Sequence, residues 1–277
     1  MVLERFLYDL GKPEEKTTIE REENPLQDVM AAFDVWTASV IAIEKYPRHP
    51  VLFDDEKLDT LLEEAARVVP KKLPEKMPEL HFPIKEYNHY LGLFYTALLN
   101  AGVAKISISS GIQPLVGCGY KLKQGILEIH SDVHEAGRLM TGGCIVNYAS
   151  IRRDFGYDAM GGLLINTMGC ETFGQHAKGG IFINCGRVAA DMSGKHFGLF
   201  ATGGIFIDYE SIYPCEFTIS CIGTPLHKIL VRADDNTNLS KLFKRVFYSS
   251  TQEIDIQKAQ EFTHDLEQEL KILCTKL

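Results

Sequence analysis

Apolar residues recur at helical spacing toward both ends of this chain and lose that period in the middle. Leu26, Val29, Met30, Phe33, Trp36, Val40 and Ile43 fall on one helical face, with Asn24 placed to cap the helix and Pro25 to open it. A second stripe, Leu58, Leu61, Leu62, Ala65 and Val68, predicts a helix from near Asp54 to a stop at Pro70. Prolines at 70, 74, 78 and 83 then mark an extended connector. A third helix is expected over 84–100, crowded with Tyr90, Leu91, Phe94, Tyr95 and Leu98 and ended by Asn100-Ala-Gly102. Beyond it Ile106 and Ile108 alternate with polar residues, as in a strand, and glycine is frequent to about residue 232. Helical stripes return as Leu239, Leu242, Phe243 and Val246, and as Ile256, Ala259, Phe262, Leu266, Leu270 and Leu273, with Asp255 as a cap. The pattern divides the chain into a helical region over 1–103, a β region over 104–232 and C-terminal helices over 233–277, with a charged arm before residue 24.

Within the β region the sequence repeats. Thr141-Gly-Gly-Cys-Ile-Val-Asn147 is echoed by Met160-Gly-Gly-Leu-Leu-Ile-Asn166, Lys178-Gly-Gly-Ile-Phe-Ile-Asn184 and Thr202-Gly-Gly-Ile-Phe-Ile-Asp208. The first glycines stand at 142, 161, 179 and 203, so the steps are 19, 18 and 24 residues. Five residues before each pair lies a further glycine: Gly137, Gly156, Gly174 and Gly198. A degraded first copy runs from Gly119 to His130. That period suits one coil of a β-solenoid, in which each coil hydrogen-bonds the next and none buries its apolar face alone. Leu127, Ile145, Leu164, Phe182 and Phe206 are then one apolar column, and Gly143, Gly162, Gly180 and Gly204 one stack of corner glycines. Asn147, Asn166 and Asn184 coincide as a ladder of amides, with Asp208 as a fourth rung that cannot donate. The longest step predicts a loop around Val188–Ser193.

The run Phe-Gly-x-x-Ala/Met-x-Gly-Gly followed by apolar residues and Asn, at a step near 19, resembles the GXGXG domain. That domain forms the C-terminal region of the large glutamate synthase subunit and the C subunit of formylmethanofuran dehydrogenase. The resemblance covers about residues 111–212 and implies a right-handed parallel β-helix, here of about five coils, flanked by helices in an α+β chain. In those families the module is structural and holds other domains or subunits, so it carries over a fold and no catalytic residue. The flanking helices match nothing in that family. A left-handed β-helix, whose coil is also 18 residues, is the alternative. Phe173-Gly-Gln-His-Ala-Lys178 suits one of its hexapeptides, but aliphatic residues fail to recur at six. It would make acyl transfer worth testing.

Composition narrows the picture. The 277 residues carry a net charge of −8, which argues against a constitutive grip on nucleic acid or anionic membrane. There is no apolar run of 18 residues and no signal-like start. Seven cysteines without a CxxC spacing suggest reduced, buried thiols. The expectation is a cytoplasmic protein.

Chemistry is sparse. No nucleophile elbow, phosphate loop or zinc-protease signature occurs. The densest polar run is Glu128, His130, Asp132, His134 and Glu135. On an extended strand His130, Asp132 and His134 share a face and offer two nitrogens and a carboxylate to a metal. The competing reading leaves the whole run exposed at the edge of the first coil. His176 and His196 sit at different places in their coils. Two functions follow as expectations. The first is a non-catalytic structural or scaffold subunit that binds a protein partner or itself. The second is a metal-dependent or oxidoreductase-associated enzyme with a pocket where the helices meet the solenoid. No cofactor is implied by the residues.

Overall fold

The computed structural model describes residues 24–43, 55–74, 90–109, 114–188, 190–191, 194–209, 227–231 and 265. Three helices, α1 (Pro25–Ile43), α2 (Asp55–Val68) and α3 (Leu91–Asn100), precede a parallel β-solenoid of about four turns. The chain is thus α+β. The expected C-terminal helices fall outside the described residues, apart from Asp265, which is helical.

The predicted start of α1 holds in detail, since the Leu26 amide donates to Asn24 Oδ1 at 3.2 Å. Phe33 and Trp36 of α1 meet Phe94 of α3 with ring centroids 5.4 Å apart in each case. The Trp36 indole donates to the Leu61 carbonyl at 3.1 Å, which fixes α1 against α2. α3 is buried from Leu91 to Leu99. Its polar residues therefore bond to the first coil: Gly119 N donates to Thr96 Oγ1 at 2.8 Å, and Lys123 N donates to Asn100 Oδ1 at 2.8 Å. One helix thus closes the end of the solenoid, where strand edges would otherwise lack partners.

The solenoid has two parallel faces. The first is a seven-stranded sheet in the order β1 (Lys105–Ile108), β2 (Ile126–Ile129), β3 (Cys144–Asn147), β5 (Met160–Asn166), β7 (Gly179–Asn184), β11 (Ile205–Tyr209) and β12 (His227–Val231). The second contains β4 (Ser150–Phe155), β6 (Gly169–Phe173), β8 (Arg187–Val188), β9 (Ala190–Asp191) and β10 (Gly194–Phe197). The first coil adds only isolated bridges to this second face, such as Leu115 with Val133 and Cys118 with Ala136. That partial coil accounts for about four turns where the repeat suggested five. A bulge in β4 explains the 19-residue step, since Ile151 pairs with Cys170 but Asp154 with Thr172; a second irregularity, where Met160 pairs with Gly179 but Leu163 with Ile181, lies at the paired glycines of the 18-residue step. The 24-residue step contains a hairpin, in which Gly194 faces Asp191 and Lys195 faces Ala190.

Register places Leu127, Ile145, Leu164, Phe182 and Phe206 side by side along the sheet, and all five are fully buried. The Phe182 and Phe206 rings stack at 4.5 Å. From the opposite sheet Phe155, Phe173 and Phe197 stack at 4.8 and 5.1 Å. The two stacks meet edge to face, with Phe173 and Phe182 5.6 Å apart.

The paired glycines have separate causes. A Cβ on Gly161 would lie 2.5 Å from the Thr141 carbonyl oxygen of the preceding coil, and Gly162 has φ +87°. The first member of the pair therefore allows coils to approach, and the second turns the corner. A second corner uses left-handed residues that are not glycine: Lys121, Leu139, Asp158, His176 and Phe200, with φ of 53, 56, 52, 56 and 55°. Amides of the first four donate to the carbonyls of Arg138, Tyr157, Gln175 and Leu199 in the next coil. These bonds recover at each step some of the steric cost of that conformation.

Candidate functional site

The predicted metal triad does not assemble. A bend at Ser131 separates His130, at the end of β2, from Val133, which bridges to the next face. Strand alternation therefore does not apply across the run. His130 stacks on Tyr148 with centroids 4.6 Å apart, and its Nε2 lies 3.7 Å from Glu128. Asp132 faces Arg152 at 3.5 Å. His134 is half-buried, and burial together with the charges of Arg153 and Arg152 lowers its pKa. Among the described residues no three His, Cys, Asp or Glu side chains are grouped to hold a metal ion.

The rival expectation, an exposed polar edge, needs correction at both ends of the run. Glu128 is buried on the sheet, where Lys105 Nζ lies 2.9 Å from one carboxylate oxygen and Ser107 Oγ donates to the other at 2.7 Å. Glu135 is also buried, with only 1% of its surface exposed, and neither of its carboxylate oxygens has a hydrogen-bond partner. Glu128 sits in register with Val146, on the face of the sheet opposite the Leu127 column, so its partners come from β1 and not from the solenoid interior.

Glu135 lies in an unusual electrostatic setting for an acid. Its nearest countercharge is Arg138, with Nη1 3.8 Å from Glu135 Oε2. That guanidinium is committed elsewhere: Nη2 meets Asp55 Oδ1 at 3.0 Å, at the first residue of α2. Its plane also sits over the Tyr157 ring, 5.3 Å from the centroid, and its buried Nε has no partner. Burial pushes the Glu135 carboxyl up to about 7, opposed by Arg138 and reinforced by Asp154 and Asp55. Two further contacts tie α2 to the same corner. Tyr120 Oη donates to Asp59 Oδ1 at 3.0 Å, and the Lys121 ammonium pairs with the same carboxylate. Burial and the Asp59 bond together raise the Tyr120 phenol well above its usual range. The junction of helix and solenoid therefore holds one acid that exchanges its proton near neutrality, beside a guanidinium that bridges two structural units.

Sequence reading noticed Glu135 but assigned it to the surface, and missed Arg138, Tyr120 and Asp55. One signal was present. Tyr120, Arg138 and Tyr157 each follow a Gly by one residue at equal offsets in successive copies, so they share a corner.

The asparagine ladder lies inside the solenoid. Asn147, Asn166 and Asn184 end their strands with no exposed surface. Asn147 Nδ2 donates to Asn166 Oδ1 at 2.9 Å, and Asn166 Nδ2 donates to Asn184 Oδ1 at 2.8 Å. Asn147 Oδ1 also accepts the Ala149 amide at 3.1 Å. The side chain of Asp208 is outside the described set, as is that of His196. Cys118, Cys144 and Cys170 are buried and Cys185 is half-buried. No helix among the described residues is long and apolar enough to cross a membrane.

Compared with known proteins, the chain matches no family model, no curated protein and no solved structure.

Proposed function

We propose that this chain is a structural subunit whose solenoid, akin to the GXGXG-type right-handed β-helix, presents a rigid surface to a protein partner or to a second copy. One observation carries the reading: the polar side chains that recur with the repeat bond to one another. The Asn147–Asn166–Asn184 ladder is buried and internally satisfied, and so is not arranged for a ligand. A partner surface is available at the left-handed corner. Tyr157, His176 and Phe200 form a row with successive centroids 5.3 and 5.2 Å apart, and 48% of Phe200 is exposed. A large exposed aromatic at a rigid corner is suited to anchor an interface. The test is sedimentation equilibrium of the purified protein, alone and with the chains that copurify from its native source, against Phe200→Asp, a residue that tolerates φ of 55°. Association weakened at least tenfold by the substitution is expected. A wild-type protein that stays monomeric and binds none of those chains would end the proposal.

A second reading, an enzyme with its site at the helix–solenoid junction, draws on Glu135. Buried acids that titrate near neutrality cluster at functional sites.

A further inference from the structure

The Arg138 guanidinium faces two carboxylates of unequal exposure. Its Nη2 meets Asp55 Oδ1 at 3.0 Å, and its Nη1 lies 3.8 Å from Glu135 Oε2. The Asp55 side chain, at the first residue of α2, is 49% exposed, whereas Glu135 is buried. Neither Glu135 oxygen has a hydrogen-bond partner, and neither has Arg138 Nε. The arrangement suits a neutral acid: the carboxyl lies beside a guanidinium that is engaged with a half-exposed partner.

Charge on Glu135 reverses that preference. A buried carboxylate left unpaired is costly, whereas a half-exposed ion pair contributes little. Asp55 can turn to water and Glu135 cannot. A movement of about 1 Å brings Nη1 into hydrogen-bond range of Glu135 Oε2. We propose that Arg138 is a switch, which holds the polar end of α2 to the solenoid through Asp55 while Glu135 is neutral, and turns to Glu135 and releases that end when the acid gives its proton to solvent.

Other contacts confine the movement. Leu58 is buried in the core. Asp59 accepts from Tyr120 Oη at 3.0 Å and pairs with the Lys121 ammonium, and Leu61 holds the Trp36 indole. None of these contacts uses Arg138, so α2 stays docked from Leu58 onward and the released part starts at Asp55. The groups that face Glu135 are Arg138 and Cys118 from the coils, Asp154 and Arg153 from β4, and Asp55 from α2, with His134 next to it in the chain. Burial pushes the Glu135 carboxyl up to about 7, so its charge changes near neutrality. Burial also pushes the Cys118 thiol upward and His134 downward, so both move away from that transition. The inference is independent of the scaffold reading, since it concerns how one helix end is held and not what the solenoid binds.

The experiment is nuclear magnetic resonance of the full chain, wild type and Glu135→Gln, at pH 6 and pH 8. The Cα carbon shifts of Asp55, Glu56 and Lys57 measure the helical population of the end of α2. In the wild type their helical offset should fall by at least half between the two pH values, while that of Ala65 holds. In Glu135→Gln it should stay at the pH 6 value throughout. A wild type that keeps the offset at pH 8, or a variant that loses it equally, would overturn the proposal. A second measurement follows the side-chain carboxyl carbon of Glu135 through a pH titration in wild type and Asp55→Ala. With its competitor removed, Arg138 pairs with Glu135, and the midpoint should fall by at least about one pH unit, a tenfold change in proton affinity. An unmoved midpoint would overturn the proposal. If Glu135→Gln does not fold, the Asp55→Ala titration decides.

Discussion

Replacing Glu135 by glutamine tests the junction electrostatics most directly. The side chains are nearly equal in size, so packing is retained while the titration is removed. Folding raises the Glu135 pKa from 4.5 to about 7. The groups facing it are Arg138 and Cys118 within the coils, Asp154 and Arg153 from β4, and Asp55 from α2. An acid with a raised folded pKa favours folding in its neutral form. Below pH 4.5 it is protonated in both states and contributes no penalty. As pH rises from 4.5 toward 7 the unfolded chain ionises first, and the native state loses stability relative to it. Above 7 the loss is complete. At about 1.4 kcal/mol per unit the full loss is about 3 kcal/mol. Glu135→Gln should therefore match the wild type near pH 4.5 and exceed it by about 2–3 kcal/mol at pH 8. The assay is urea denaturation at half-unit intervals from pH 4.5 to 8.5, read as variant minus wild type, so that titrations common to both cancel. A difference that stays flat across this range would show that Glu135 is solvated or paired, and the account of the junction would fall.

Three other substitutions probe the remaining parts. Phe182→Ala removes a ring stacked on Phe206 and edge-on to Phe173, and should cost about 3–5 kcal/mol in a denaturant melt; a loss below about 1 kcal/mol contradicts the column. Asn166→Ala deprives Asn147 of an acceptor and Asn184 of a donor, at about 1–3 kcal/mol for each group left unsatisfied, without changing partner affinity measured well below the melting point. Lys105→Met leaves the buried Glu128 carboxylate without its ammonium at 2.9 Å, so stability should fall by about 3–5 kcal/mol in a denaturant melt; a loss below about 1 kcal/mol would refute the pairing.

The repeat was legible because a solenoid writes its period into the chain. Gly143, Gly162, Gly180 and Gly204 turn equivalent corners, and each has φ above +70°. Phe182 and Phe206 are neighbours in space because they are equivalent in sequence, 24 residues apart. The asparagine ladder followed from the same equivalence. The left-handed corner was less visible. Lys121, Leu139, Asp158, His176 and Phe200 share a backbone conformation but no side-chain type, so only their constant offset from a glycine marks them.

Glu128 and Glu135 show where local pattern stops. A glutamate in a polar run reads as a surface residue, because an isolated buried carboxylate is costly. Glu128 is buried because β1, 21 residues earlier along the paired register, supplies Lys105 and Ser107. Glu135 is buried because the coils close beneath α2, whose Asp55 draws Arg138 away from it. His130, Asp132 and His134 look like one face only if the strand continues, and the turn at Ser131 ends it. Sequence alone determined the coil period, the inner column and the residues that turn the corners, since each depends on neighbours at a fixed step. The pairing of charges was decided only by tertiary structure, because their burial and partners come from segments brought together by helix docking and coil closure, at no fixed step along the chain.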